Sequence, residues 1–373
     1  MKTLFDQAIS LLEKLIRIPS FSGEERAAAS CIEHFLTERS VPIFRKFNNI
    51  WCYNKFFDPA KPVILLNSHL DTVQPNEQYR NDPFEPIIRD GKLFGLGSND
   101  AGGPVVALLA TFLHFNQRQD LPFNLCLAIT AEEENSGKLG IKSILGDLRP
   151  IAFAIVGEPT NMEMAVAEKG SMVLDCISTG KAGHAAREEG DNAIYKAIKD
   201  IQWFSTYQFH AEANQPNPVK MTVTQIDAGQ QHNIVPGTCN FTVDIRFDHH
   251  YSVKEILNTI TNHTFCDSTL RPNVLRPSAI DMMHPIVKTG IAIGRHTYLS
   301  PTSSDQGWLN MPSLKMGPGN SARSHSADEF IYLNEISDGI SIYISLLESI
   351  FPYLANDSKL DLHAYETQQP QQN

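Results

Sequence analysis

The stretch whose reading decides the fold is KPVILLNSHLDTVQPNEQYRNDPFEPIIRDGKLFGLGSNDAGG, residues Lys61–Gly103. Its apolar run Val63–Leu66 has the length of a buried strand, and the polar residues that end it include His69 and Asp71. The chain then reaches the turn Gly95–Gly97 and Asp100, just ahead of the apolar helical run Val105–Phe115. A strand that ends in His-x-Asp, followed by a loop carrying a carboxylate into a helix start, is how an α/β protein builds a metal site at the carboxyl edge of its sheet. Gly95-Leu96-Gly97 is not a dinucleotide fingerprint, because Asp100 stands where the third glycine of that pattern belongs.

Outward from this stretch the same event recurs. The apolar run Phe123–Ile129 leads into Thr130-Ala131-Glu132-Glu133-Glu134, and Ile151–Val156 leads into Gly157-Glu158-Pro159-Thr160. Three apolar strands separated by helices, each ending in a potential ligand, are the pattern of a parallel sheet with a site along one edge. Each residue alone has a plainer reading: His69 as a hydrogen-bonded edge residue, the glutamate triplet as a solvated helix start, Glu158 as a turn residue before Pro159. The repetition at strand ends is what favours a site. Asp71, two residues after His69 and on the same side of the strand, is placed to orient the imidazole.

Upstream, Leu4, Ala8, Leu11, Leu12 and Leu15 recur at helical spacing, while Asp6, Glu13 and Lys14 interrupt any apolar targeting segment, so the amino terminus reads as an amphipathic helix. A second helix follows over Glu24–Ser40, and Pro42–Phe57 reads as a strand pair turning at Asn48-Asn49. From about Gly170 the texture changes. Strands at Ser171–Ser178, Val219–Ile226, Cys239–Phe247 and Asn273–Ile280, with helices at Asn192–Phe204 and Ser252–His263, give the order β-α-β-β-α-β of a small inserted domain. The α/β texture returns with a helix near Ile286–Gly294, the strand Ser313–Met316 and the helix Leu333–Ile350, and the polar tail after Asn356 is expected to be loose. The organisation expected is therefore an α/β catalytic domain of residues 1–169 and 284–373, with a mixed central sheet flanked by helices, and an inserted ferredoxin-like domain of residues 170–283.

The totals bound the partners. A chain of 373 residues and 41.6 kDa with 42% hydrophobic and 20% charged residues is an ordinary globular protein with room for two domains. A net charge of −11 and a pI near 5.6, with no basic run, argue against nucleic acid or an anionic membrane as a partner, and no apolar run reaches membrane-spanning length. The scattered Cys31, Cys52, Cys126, Cys176, Cys239 and Cys266 read as reduced thiols, which suits the cytoplasm.

The segments HLDTV at 69–73, GLGSNDAGGP at 95–104, TAEEENSG at 130–137, VGEPT at 156–160, GHAAREEGDNAI at 183–194 and SHSADEF at 324–330 resemble, in order and approximate spacing, the dinuclear zinc amidohydrolases. That family includes acetylornithine deacetylase, succinyl-diaminopimelate desuccinylase, aminoacylase and carboxypeptidase G-type enzymes. The resemblance covers nearly the whole chain and implies a zinc-peptidase-like fold with two Zn2+, for which Co2+ substitutes. It makes His69 and Glu158 the terminal ligands of one metal, Glu134 and His325 those of the other, Asp100 the bridge and Asp71 the buttress of His69. Glu133 becomes the general base that takes a proton from the bridging water. The family's acidic pair falls on Glu133-Glu134 because Thr130-Ala131 precedes the triplet; a shift by one would make Glu132 the base and Glu133 the ligand.

The inserted domain is expected to act as lid and homodimerisation module, with His184 reaching the partner subunit's site to stabilise the oxyanion. Arg246 is expected to hold a substrate carboxylate or to pair with Asp244 or Asp248, and Asn233 to lie near the substrate or simply in a turn. The loop Gly317–Ser321, with Gly319 at its centre, offers backbone N–H groups to a carboxylate or makes a tight turn. Asp305 reads as a helix cap rather than a pocket residue. The activity implied is hydrolysis of an N-acyl amino acid, first N-acetyl-L-ornithine in arginine biosynthesis, with an N-succinyl-ornithine or N-succinyl-diaminopimelate desuccinylase second and a dipeptidase or carboxypeptidase third. A catalytically silent binding protein of the same fold has no physical need to hold all five ligands and Glu133.

Overall fold

The computed structural model describes residues 3–210 and 218–355, and the tail read as loose lies outside them. The described chain forms two compact units. One runs from the amino terminus to Ala167 and takes in Ser278–Ser300 and the residues from Ser304 onward; the other comprises Glu168–Pro277 and Pro301–Ser303.

In the first unit, strands Val63–His69 and Asn124–Thr130 are buried at every position, as strands covered on both faces must be. Their side chains alternate between two apolar layers. Ile64 and Leu66 join the layer made by helices Leu4–Ile16, Gly103–Asn116 and Leu333–Ser349, while Val63 and Leu65 face Trp51, Cys126, Ile141 and Ile144. Each large side chain buried this way contributes roughly 1.5–3 kcal/mol. The sheet has nine strands, running in order through Ile43–Lys46, Asn49–Tyr53, Asn124–Thr130, Val63–His69, Phe153–Val156, Ser313–Lys315, Met164–Glu168 and Ser278–Ala279, with Thr297–Ser300 paired to Met164–Glu168. Val63–His69 is parallel to both neighbours, whereas Asn49–Tyr53 is antiparallel to Asn124–Thr130, so the sheet is mixed. Thr3 opens the first helix with a capping box, its hydroxyl accepting the Asp6 N–H at 3.1 Å. No helix among the described residues is long and apolar enough to cross a membrane, and all six cysteines are free thiols.

In the second unit, strands Val219–Ala228, Thr238–Phe247, Gly170–Thr179 and Asp267–Leu270 form an antiparallel sheet in that spatial order, with helices Ala193–Thr206 and Val253–His263 supplying Ala197, Phe204, Ile256 and Ile260 to its core. The fourth strand is not the expected Asn273–Ile280. Pro277 within it has no N–H to give a ladder, and the pairing falls instead to Asp267–Leu270, just upstream. What remains of the expected strand is a bridge from Leu275 to Ser171 and the two residues Ser278–Ala279, which belong to the large sheet.

His284 shows how tightly the first unit closes. Its Nδ1 accepts the Ile286 N–H at 3.3 Å to cap helix Pro285–Ala292, and its ring meets Phe153 edge-on at 5.1 Å. Burial pushes its pKa down to about 4. A folded-state value below the unfolded one means that the unfolded chain takes up the proton first. Stability is therefore full above about pH 6.5 and is lost as pH falls toward 4, by roughly 3 kcal/mol from this residue. His284→Asn keeps a capping acceptor and removes the titration. Denaturant unfolding at pH 7 and pH 4.5 should show wild type losing roughly 2–3 kcal/mol more than the variant across that interval. Equal losses would show that His284 is protonated in the fold.

Candidate metal centre

Strand register assembles the site. His69 lies opposite Thr130 and Asn67 opposite Val156, so the residues that follow all three strands leave the sheet at one edge. His69 closes its strand, Glu133 and Glu134 follow the second, and Glu158 follows the third. Asp100 comes from the segment Ser98–Gly102 that leads into helix Gly103–Asn116. Gly97 precedes it at φ +74, where an added Cβ would stand 2.6 Å from Thr72 Cγ2, so this turn requires glycine. His325, itself at φ +58, follows the short turn Ser321–Arg323.

The side chains converge. His69 Nε2 is 3.3 Å from Asp100 Oδ1, 3.6 Å from Glu158 Oε1 and 3.9 Å from Glu133 Oε2. His325 Nε2 is 3.1 Å from Glu134 Oε2 and 3.8 Å from Asp100 Oδ2. Two overlapping groups, His69–Asp100–Glu134 and His69–Glu133–Glu158, each bring three potential ligand atoms within 4.8 Å of one another. Glu132 turns away to accept the Leu139 N–H at 2.9 Å, while Glu133 and Glu134 lie beside His69 and His325.

The electrostatics call for cations. Burial, reinforced by the neighbouring Glu158 and Glu134 charges, pushes Glu133 well above the usual carboxylate range despite His69. Burial likewise raises Glu134, and carries Glu158 up to about 8. His69 is pushed up against the effect of its own burial by Glu133, Asp100, Asp71 and Glu158, and the bond to Glu134 raises His325 to about 9. Glu158 Oε1 is buried with no hydrogen-bond partner. Four carboxylates and two imidazoles with an orphaned buried oxygen fit a pair of divalent ions of borderline hardness, a two-zinc site in which cobalt can substitute.

Buried carboxylates outside the two triads hold the loops that carry them. His69 Nδ1 lies 2.9 Å from the Asp71 backbone oxygen and 3.5 Å from its carboxylate, so the expected buttress is mainly the main chain. The Asp71 carboxylate instead accepts the Glu133 and Glu134 N–H groups, each at 3.0 Å, and the Ser22 hydroxyl at 2.7 Å. Glu329 accepts the N–H groups of Gly97, Asn99 and Asp100 at 3.0, 2.8 and 2.9 Å. Its role went unread because its partners are backbone amides far away in sequence; its place within SHSADEF was the one available signal. Asp305 is not a cap. Ser304 caps its short helix, and Asp305 is buried, accepts the Thr130 hydroxyl at 2.7 Å and is pushed up to about 7 by burial.

Of the expected substrate residues, Gly319 lies in the first unit at φ +92, where an added Cβ would stand 2.6 Å from Asn99 Oδ1, and Asn99 also accepts the Asn320 N–H. The others belong to the second unit. Arg246 grips Asp244 through Nε at 2.8 Å and Nη2 at 2.9 Å and donates through Nη1 to Ser303 at 3.1 Å, the pairing that its spacing along the strand allowed. His184 is exposed, its Nδ1 accepting the Ala186 N–H at 3.0 Å, and the Asn233 carbonyl accepts the Ala185 N–H at 3.0 Å.

The profile of Peptidase family M20/M25/M40 matches residues 65–349. A succinyl-diaminopimelate desuccinylase of Wolbachia pipientis wMel is 26% identical over 380 residues, covering 92% of this chain and 93% of its own. A LysW-lysine/LysW-ornithine hydrolase of Sulfurisphaera tokodaii is 27% identical over 351 residues, covering 91% and 94%. Among solved structures, a tripeptidase of Staphylococcus aureus subsp. aureus Mu50 superposes with a TM-score of 0.75 at 19% identity over 95% of this chain and 99% of its own, a likeness of fold. With more than half of its length matched and two metal triads at its strand ends, the chain belongs to peptidase family M20/M25/M40 and is a metal-dependent amide-bond hydrolase.

Proposed function

We propose that the protein is a desuccinylase of N-succinyl amino acids, of the ornithine or diaminopimelate type, acting in the cytoplasm. The observation that carries this reading is the similarity to a succinyl-diaminopimelate desuccinylase along 92% of the chain. It displaces N-acetyl-L-ornithine to second place, where the motif resemblance to acetylornithine deacetylase keeps it.

In this reading His69 and Glu158 would hold one metal, Glu134 and His325 the other, with Asp100 a ligand available to both. The bound pair supplies Lewis acidity toward the scissile carbonyl and the attacking water. Glu133 is the general base. With its Oε2 3.9 Å from His69 Nε2, it is placed to take a proton from that water and to return it to the leaving amine nitrogen, giving the free amino acid and succinate. His184 is assigned to the oxyanion in a partner subunit's site, which makes the second unit a lid and homodimerisation module. Arg246, Asn233 and the Gly319 loop are assigned to the substrate's carboxylates. Arg246 can take up that part only by sharing its guanidinium with Asp244, so its contribution is to orientation more than to charge.

Three outcomes test this. Chelator-stripped protein should be inactive and should regain turnover with about two equivalents of zinc or cobalt per chain, read by metal analysis beside amine release. Glu133→Ala should lower kcat by roughly 10²–10⁴-fold. Its metal content should stay at the wild-type level; retained activity would remove Glu133 from the role of base. On N-succinyl-L-ornithine, N-succinyl-diaminopimelate, N-acetyl-L-ornithine and a dipeptide panel, kcat/KM should be highest for a succinyl substrate. Preference for the acetyl compound or for a dipeptide would overturn the substrate assignment while leaving the metal chemistry in place.

A further inference from the structure

We propose that Glu25 is a positioning residue for the acidic turn Glu132–Glu134, fixing by its bond to the Glu132 N–H the register that faces Glu133 and Glu134 toward the metal centre. The inference rests on the roles assigned to those two glutamates above. Glu25 precedes helix Arg26–Thr37, and there a carboxylate would be expected to cap. It makes no cap bond, yet its side chain is fully buried. Its Oε1 accepts the N–H of Gly23 at 2.6 Å and of Glu132 at 3.1 Å, and its Oε2 accepts from Asn48 Nδ2 at 2.7 Å.

The Glu132 bond is one of a run. The Ala131 N–H goes to Asn49 Oδ1 at 3.0 Å, that of Glu132 to Glu25, and those of Glu133 and Glu134 to the two oxygens of Asp71. Every amide from Ala131 to Glu134 is thus claimed by a side chain from elsewhere in the fold. Glu132 needs the help most, because its φ of +54 is a left-handed conformation that a glutamate resists. That conformation is what separates Glu132, bonded to the Leu139 N–H, from the two glutamates that face the centre. Without an acceptor for its part-buried N–H, the turn relaxes toward ordinary backbone angles and rotates the acidic register. Ser22 adds a second tie between the same amino-terminal loop and Asp71.

The test is hydrogen–deuterium exchange on metal-free protein, followed by kinetics of the zinc-loaded enzyme. Glu25→Ala should speed exchange in the peptide spanning Ala131–Leu139 by roughly tenfold or more, leaving the strands Val63–His69 and Phe153–Val156 at wild-type protection. It should lower kcat by roughly 10–100-fold with KM within about twofold. Glu25→Gln keeps the oxygen that accepts both N–H groups and should restore protection and most of kcat. Asn48→Ala, which frees the other oxygen, should fall between the two. Unchanged exchange in the turn of Glu25→Ala, or faster exchange spread evenly over the first unit, overturns the proposal. If Glu25→Ala does not fold, Glu25→Gln with wild-type exchange and Asn48→Ala with a loosened turn sustain it, and an unloosened turn in Asn48→Ala overturns it. Because exchange is read without metal or substrate, a wrong substrate assignment leaves this result standing.

Discussion

Carboxylates taken out of water cost several kcal/mol each unless a cation or a set of hydrogen bonds compensates them. This protein concentrates Asp100, Glu133, Glu134 and Glu158 at one sheet edge. Left to themselves these side chains would swing apart, so the loops that carry them have to be held by something other than the ligands. The holding groups are again carboxylates, but they face backbone amides: Asp71 takes two consecutive N–H groups at the acidic turn, and Glu329 takes three around Asp100. A charged acceptor makes such bonds roughly twice as strong as neutral ones. The centre is thus an inner layer of carboxylates suited to cations, braced by charge-assisted bonds in the layer behind.

That brace works because the sheet is rigid. Val63–His69 and Asn124–Thr130 carry no exposed residue, and helix Gly103–Asn116 buries Val105, Val106, Leu108, Leu109, Phe112 and Phe115. A one-residue slip between the strands would turn Ile64 and Leu66 from one apolar layer to the other and carry His69 out of line with Thr130. Packing therefore fixes the positions of the ligands to the residue, and the hydrogen-bonded loops fix them to fractions of an ångström.

Much of this was legible in the chain. Apolar runs ending at His69, Glu133-Glu134 and Glu158 expose the site because strand length and side-chain type are both local properties. The glutamate triplet was harder: among three identical side chains only the preceding Thr130-Ala131 favours one register, and the Glu25 and Asp71 carboxylates that hold the turn's backbone come from far away in sequence. The same limit hid Glu329 and misjudged Asp305, whose surroundings come from Thr130 across the fold. Arg246 and Asp244 lie two residues apart on one strand face, so their pairing was open to reading. The strand placed over Asn273–Ile280 failed for a local reason that was also present, Pro277 within it.

Reaction class and substrate choice rest on different parts of such a molecule. The ligands stand on strand ends whose register is set by apolar layers, and those layers accept exchange among aliphatic residues without moving the backbone far. Groups that touch the variable end of a substrate face no such constraint. Arg246, with its guanidinium engaged by Asp244 and Ser303, belongs to neither apolar core, so packing does not dictate its identity. The metal chemistry accordingly rests on the packed sheet, and the choice of substrate on side chains that packing leaves free to vary.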